Sequence, residues 1–166
     1  MDNKYAALIY TFFLLVSLNG KAQDIHDHEH EHIHDDHKTE LGIANSLVYF
    51  TGESQLCYGL HVHLVRNIGH SKFSAGLGYE RIFDEHKHNT VGIVGMYTPI
   101  ERLHFSLSPG IAFEGAHPSE KNFAIHFETT YEFQVGDVHM GPLLELAHDS
   151  EDYHISLGVH IGLGFK

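Results

Sequence analysis

The sequence predicts an all-β protein: an eight-stranded antiparallel transmembrane β-barrel preceded by a signal peptide and a disordered His-rich segment. Three observations carry this reading. A short apolar leader opens the chain, a run of alternating histidines and acids follows, and from Leu41 onward apolar residues recur at every second position. The predicted boundaries are a signal peptide over 1–22, a tail over 23–40 and a barrel over 41–166.

Lys4 supplies the positive start of the leader, and Ala6–Leu18 is an apolar run of 13 residues. That length is too short for a helix to span a bilayer but suits the apolar stretch of a signal peptide. Gly20-Lys21-Ala22 then offers small residues at the spacing a signal peptidase reads, so cleavage is expected after Ala22, with Gln23 the alternative. No cysteine lies near that point, which argues against a lipid anchor.

Charge excludes one class of partner. The chain carries 10 basic and 22 acidic side chains, a net charge of −12 with histidine neutral. Losing Asp2, Lys4 and Lys21 with the leader leaves 8 against 21. Nucleic acid, whose phosphates require a basic surface, is therefore not expected as a partner. The single cysteine, Cys57, has no partner for an internal disulfide.

The composition stands out in its 18 histidines. Residues 24–40 read DIHDHEHEHIHDDHKTE, in which His26, His28, His30, His32, His34 and His37 are interleaved with Asp and Glu. With so few apolar residues the segment has nothing to bury and is expected to be disordered. Imidazole is the commonest side-chain ligand for transition metals, and carboxylates add oxygen donors and negative potential. In an extended chain the His-x-His spacing puts five of these rings on one side, so two or three can reach one ion. The expected cofactor is a divalent transition metal, with zinc, copper, nickel and cobalt left open.

Strands are predicted near 42–50, 56–66, 72–83, 90–98, 102–114, 121–134, 137–148 and 153–165. Most match the ~9–11 residues that a tilted membrane strand needs. In the last, Tyr153, Ile155, Leu157, Val159, Ile161, Leu163 and Phe165 alternate with His154, Ser156, Gly158, His160, Gly162 and Gly164. One face of nearly every strand is apolar throughout, while the other is small or polar and almost free of lysine. This suits a barrel turned inside out, with lipid outside and a crowded polar lumen. Tyr58, Tyr79, Tyr97, Tyr131, Tyr153 and Phe165 fall toward strand ends on the apolar face, as aromatic girdles would. Two features fit poorly. Pro109 and Pro142 fall inside strands, where they are expected to mark bulges. The first strand carries a polar residue on each face, Asn45 and Ser46.

The signal peptide, the eight alternating strands and the closing Gly162-Leu163-Gly164-Phe165-Lys166 resemble the small outer-membrane barrels of the OmpA and OmpX type. The resemblance covers about residues 41–166 and departs from the family in that Phe165 is penultimate. It implies a bacterial outer-membrane location among lipid, with both termini and the tail in the periplasm. It also implies recognition of the last strand by the barrel-assembly machinery. Members of that family include adhesins, structural barrels and lipid-modifying enzymes, so the fold leaves function open.

By parity, His61, His63, His104, His126, His139, His154 and His160 point into the lumen with Glu80, Glu114, Glu128, Glu132 and Glu145. The sixth and seventh strands admit two registers. A Val135-Gly136 turn opposes His126 to Glu145 and His139 to Glu132, whereas a Gly136-Asp137 turn opposes Glu128 to Glu145. The candidate lumen ligands are His61, His63, His126, His139, Glu132 and Glu145, set against the plainer expectation that these groups only fill a small barrel with hydrogen bonds. An eight-stranded barrel is too narrow for an aqueous channel, so binding, buffering or delivery of metal is expected rather than conduction. The alternatives are a structural or adhesive barrel with incidental histidines and, behind it, a lipid A-modifying enzyme. For the latter, His104-Phe105-Ser106 and His154-Ile155-Ser156 offer the His-x-Ser spacing of a lipid A deacylase, but both pairs face the lumen. No catalytic residue is assigned.

Overall fold

The computed structural model describes residues 38–115, 118–136, 138–150 and 152–165. The leader and the histidine tail through His37 lie outside the described residues. Nine strand segments form one antiparallel sheet: β1 (Thr39–Phe50), β2 (Gln55–Asn67), β3 (Phe73–Phe83), β4 (His88–Ile100), β5 (Leu103–Glu114), β6 (Lys121–Tyr131), β7 (Phe133–Val135), β8 (Val138–His148) and β9 (Tyr153–Phe165). β1 to β6 pair in chain order, β8 pairs β6, β7 and β9, and β9 pairs β1, so the sheet closes on itself. β6 and β7 are two segments of one stave, and the barrel therefore has eight staves.

Burial alternates along every long strand. On β9 the pattern puts His154, Ser156, Gly158, His160 and Gly162 inside. Their neighbours point out, with Leu157 63% exposed. The outer surface is the apolar one: Leu77, Ile93 and Phe123 are 65%, 63% and 64% exposed. No water-soluble protein of this size gains by such a surface, because contiguous exposed apolar area marks a lipid or partner contact. Tyr58, Tyr79 and Tyr153 ring the outside near one rim, and Tyr97, Tyr131 and Phe165 near the other.

Three departures from the sequence reading have physical causes. First, β1 begins at Thr39, so Glu40 belongs to the wall and not to the tail. The Lys38 N–H donates to the Phe165 carbonyl at 2.9 Å, extending the β1–β9 seam to its end. Second, neither proline marks a bulge. Pro109 pairs with Ile125 and Pro142 with Val159, and the registers run straight through. What each proline removes is a stretch of ladder on its other side, because it has no N–H to donate. Opposite Pro142 the pairing of β8 is interrupted between Thr130 and Phe133, which divides β6 from β7 at Glu132. The barrel's register shift lies instead between Tyr97 and Ile100 on β4. Third, the polar pair on β1 is accommodated on both faces: Ser46 is buried, and the outward Asn45 accepts a hydrogen bond from the Tyr58 hydroxyl.

Glycines shape the wall where staves approach closely. A Cβ on Gly76 would stand 1.9 Å from the Leu64 carbonyl oxygen, and one on Gly141 1.8 Å from that of Tyr131. Gly136 adopts φ +66°, and Val135 pairs with Val138, which defines a two-residue Gly136-Asp137 turn; Asp137 itself lies outside the described residues.

Candidate functional site

The Gly136-Asp137 register decides the wall of β6 and β8. Glu128 stands opposite Glu145, His126 opposite Ala147, and His139 opposite Gln134. The other arrangement, with His126 facing Glu145 and His139 facing Glu132, does not occur. His126 still reaches Glu145 diagonally: its Nδ1 lies 3.3 Å from Glu145 Oε2 and 3.4 Å from Glu80 Oε2.

Among the described residues, three groupings of histidine and carboxylate could hold an ion. Towards the rim that carries Gly52, Lys87 and Asp152, Glu80, His126, Glu145 and His154 bring one ligand atom each to within 4.8 Å of the others, and all four side chains are buried. Ser156 Oγ donates to Glu145 Oε1 at 3.0 Å, and His154 Nε2 lies 3.8 Å from the same oxygen. Neither ring nitrogen of His154 has a hydrogen-bond partner. At mid-height His61 Nδ1 lies 3.4 Å from Glu128 Oε2, and His61, Glu128 and Glu145 form a second set. In the opposite half, Glu40, His63 and His160 form the third.

Thus His61, His63, His126 and Glu145, four of the six ligands expected in the lumen, take part in these groupings. Glu132 does not; its two oxygens lie at ion-pair distance from other rings, 3.1 Å from His104 Nε2 and 2.6 Å from His160 Nδ1. His139 is half-buried and belongs to none of the three sets. The six tail histidines lie outside the described residues. Sequence parity put Glu80, Glu128, His154 and His160 on the inner face without choosing them as ligands, and it missed Glu40. Buried polar atoms normally find partners; here Glu40 Oε1, His61 Nδ1, His63 Nε2, Glu80 Oε2, His104 Nε2, Glu128 Oε2 and both nitrogens of His154 and of His160 make no hydrogen bond.

The His-x-Ser pairs do not form nucleophile–base couples. Ser156 is spent on Glu145, and His104 Nδ1 lies 3.0 Å from Thr98 Oγ1 while its Nε2 faces Glu132. Ser106 and Ser156 are both buried on the inner face.

Comparison with known proteins places the fold. The crystal structure of Neisserial surface protein A superposes with a TM-score of 0.56, covering 76% of this chain and 96% of that one at 13% identity. This is a small outer-membrane barrel fold. A de novo designed transmembrane β-barrel matches the barrel at a TM-score of 0.52 and 9% identity, over 76% of this chain and 95% of that one. No protein-family model matches the chain, and no curated protein matches its sequence. The likeness is one of architecture, and the histidine–carboxylate lumen must be read from its own residues.

Proposed function

We propose that the protein is a bacterial outer-membrane barrel that binds divalent transition-metal ions (zinc, copper, nickel or cobalt) for capture, buffering or delivery. In this reading the tail gathers ions in the periplasm and the lumen holds them. The observation that carries it is the set Glu80, His126, Glu145 and His154: two imidazoles and two carboxylates, all buried, with donor atoms within 4.8 Å of one another. Nitrogen and oxygen donors in this ratio suit zinc-like ions, whose bonds run ~2.0–2.2 Å. His154 strengthens the reading, because a buried imidazole with neither nitrogen paired costs free energy that a bound ion would return.

Calorimetric titration of zinc, copper and nickel into detergent-refolded protein tests this against two variants. One lacks residues 24–37, which leaves β1 intact; the other carries His154→Leu. Tight binding lost with the tail assigns capture to the tail, and binding lost with His154→Leu assigns it to the lumen. If no form binds below about millimolar, a level worth only ~4 kcal/mol, the metal reading fails and a structural or adhesive barrel stands.

A further inference from the structure

The half of the lumen nearest the chain ends holds a feature the four-residue set does not explain. Glu40 and Gly42 project inward from β1, His63 from β2 and His160 from β9. His63 and His160 are 2% and 1% exposed, and their rings stack at 5.2 Å between centroids with an interplanar angle of 13°. Glu40 Oε1 lies 3.8 Å from His63 Nε2 and 4.0 Å from His160 Nε2. These distances are too long for hydrogen bonds, and all three atoms are buried without a partner.

Two further details define the pocket. Gly42 pairs with His63 on one side and Gly162 on the other, so adjacent positions of the wall lack side chains. A Cβ on Gly42 would fall 2.2 Å from His63 Nε2 and 2.4 Å from His160 Nε2, in the space those two nitrogens face. Meanwhile His160 Nδ1 lies 2.6 Å from Glu132 Oε1. With Glu132 against Nδ1, the ring atom that His160 turns to the pocket is Nε2. Metal-bound histidines are oriented in this way, with the far nitrogen held by a carboxylate. Glu132 is itself fixed by His104, and His104 lies against Thr98.

We propose that Glu40, His63 and His160 form a second metal site, with Gly42 as its floor, that takes a divalent ion of the zinc and cobalt class. The inference rests on the reading of the lumen as metal-binding and adds a site separate from the Glu80–His154 set. With ligand bonds of ~2.0–2.2 Å, tetrahedral donors stand roughly 3.4 Å apart, so Glu40 must close by about half an ångström on each imidazole, and the nearly parallel rings must turn for both Nε2 lone pairs to meet at the ion. Three protein donors leave one position open for water or an exchanging ligand.

The test uses the full chain with the six tail histidines changed to asparagine, refolded in detergent and titrated with cobalt chloride by visible absorption. Folding of each variant is checked by its heat-sensitive electrophoretic mobility. Cobalt is expected to bind in this background and to remain bound when His154→Leu is added. Gly42→Ala, which keeps every donor but fills the space, is expected to weaken binding at least tenfold in the His154→Leu chain. Glu40→Gln, which keeps the shape but removes a charged donor, is expected to do the same and decides the matter if Gly42→Ala does not fold. Cobalt affinity unchanged by these substitutions overturns the second site. Binding abolished by His154→Leu alone also overturns it while leaving the lumen reading in place. No cobalt bound by the tail-substituted chain removes both.

Discussion

Glu128 on β6 and Glu145 on β8 are direct cross-strand partners, both facing inward and 4% and 2% exposed. Like charges directly opposed on a sheet destabilise it. The surrounding groups soften the conflict: His61 approaches Glu128 at 3.4 Å, and His126 approaches Glu145 at 3.3 Å. An ion in the lumen would remove it. Without metal, Glu128→Gln is expected to leave stability unchanged or raise it by up to ~1 kcal/mol, while zinc stabilises this variant less than the parent. Urea unfolding in lipid vesicles, with and without zinc, checks both. A loss beyond ~1 kcal/mol in the metal-free variant would show that the two carboxylates are not in conflict.

The outer face gives a second prediction. Leu77 and Ile93 are register partners near the middle of β3 and β4, 65% and 63% exposed. If that face meets lipid, Leu77→Arg costs ~2–4 kcal/mol of folding free energy in vesicles. In a barrel meant for water the same change would be harmless, so a neutral result removes the membrane reading.

Two inexpensive substitutions separate wall geometry from glycine content. A methyl on Gly76 would collide with the Leu64 carbonyl at 1.9 Å, whereas on Gly95 the nearest atom is 3.8 Å away. Gly76→Ala is expected to lose ~1–3 kcal/mol, the range of overpacked sites, and Gly95→Ala to be tolerated. Equal behaviour in a refolding assay would contradict the close approach of β2 and β3.

At the rim Asp152 clasps the loop between β1 and β2. Its carboxylate accepts from the Gly52 N–H at 2.8 and 2.9 Å, from the Tyr153 N–H at 2.7 Å and from the Thr51 hydroxyl at 3.0 Å. Burial pushes this carboxyl up, but the Gly52, Tyr153 and Thr51 donors outweigh it and hold it below the ordinary value. A depressed folded-state pKa means the clasp contributes fully above the unfolded value of about 3.9 and is lost as pH falls through the lower folded one. The Gly52 amide shift should therefore titrate with a midpoint below that of a free aspartate, and Asp152→Asn should abolish the titration. A midpoint at or above the ordinary value counts against the clasp.

Much of this architecture was legible because the strands obey a strict period of two, and parity alone put the lumen histidines inside. The register of β6 against β8 was not, since Val135-Gly136 and Gly136-Asp137 both make acceptable turns and both keep the same faces inward. The pairing of Val135 with Val138 resolves it. Glu40 escaped notice because it follows an unbroken polar run, and an inward-facing acid at the start of a strand looks like more tail. His160 and Glu132 meet across Gly141 of β8, whose missing side chain lets the two staves beside it touch, a contact with no local signature. The prolines misled because a missing N–H was equated with an inserted residue, whereas the wall simply forgoes the hydrogen bonds opposite them.

The seam between β1 and β9 has a consequence for the order of events. Glu40 and His160 come from the first and last strands, which meet only when the ring shuts. An unfinished ribbon holds Glu40 and His63 together on β1 and β2 but leaves His160 at its far edge. An ion seated on all three side chains would thus act as a latch on the last step of assembly, favouring the shut ring over every open form by mass action. The metal content of the surroundings would then be written into how long the barrel, once shut, stays shut.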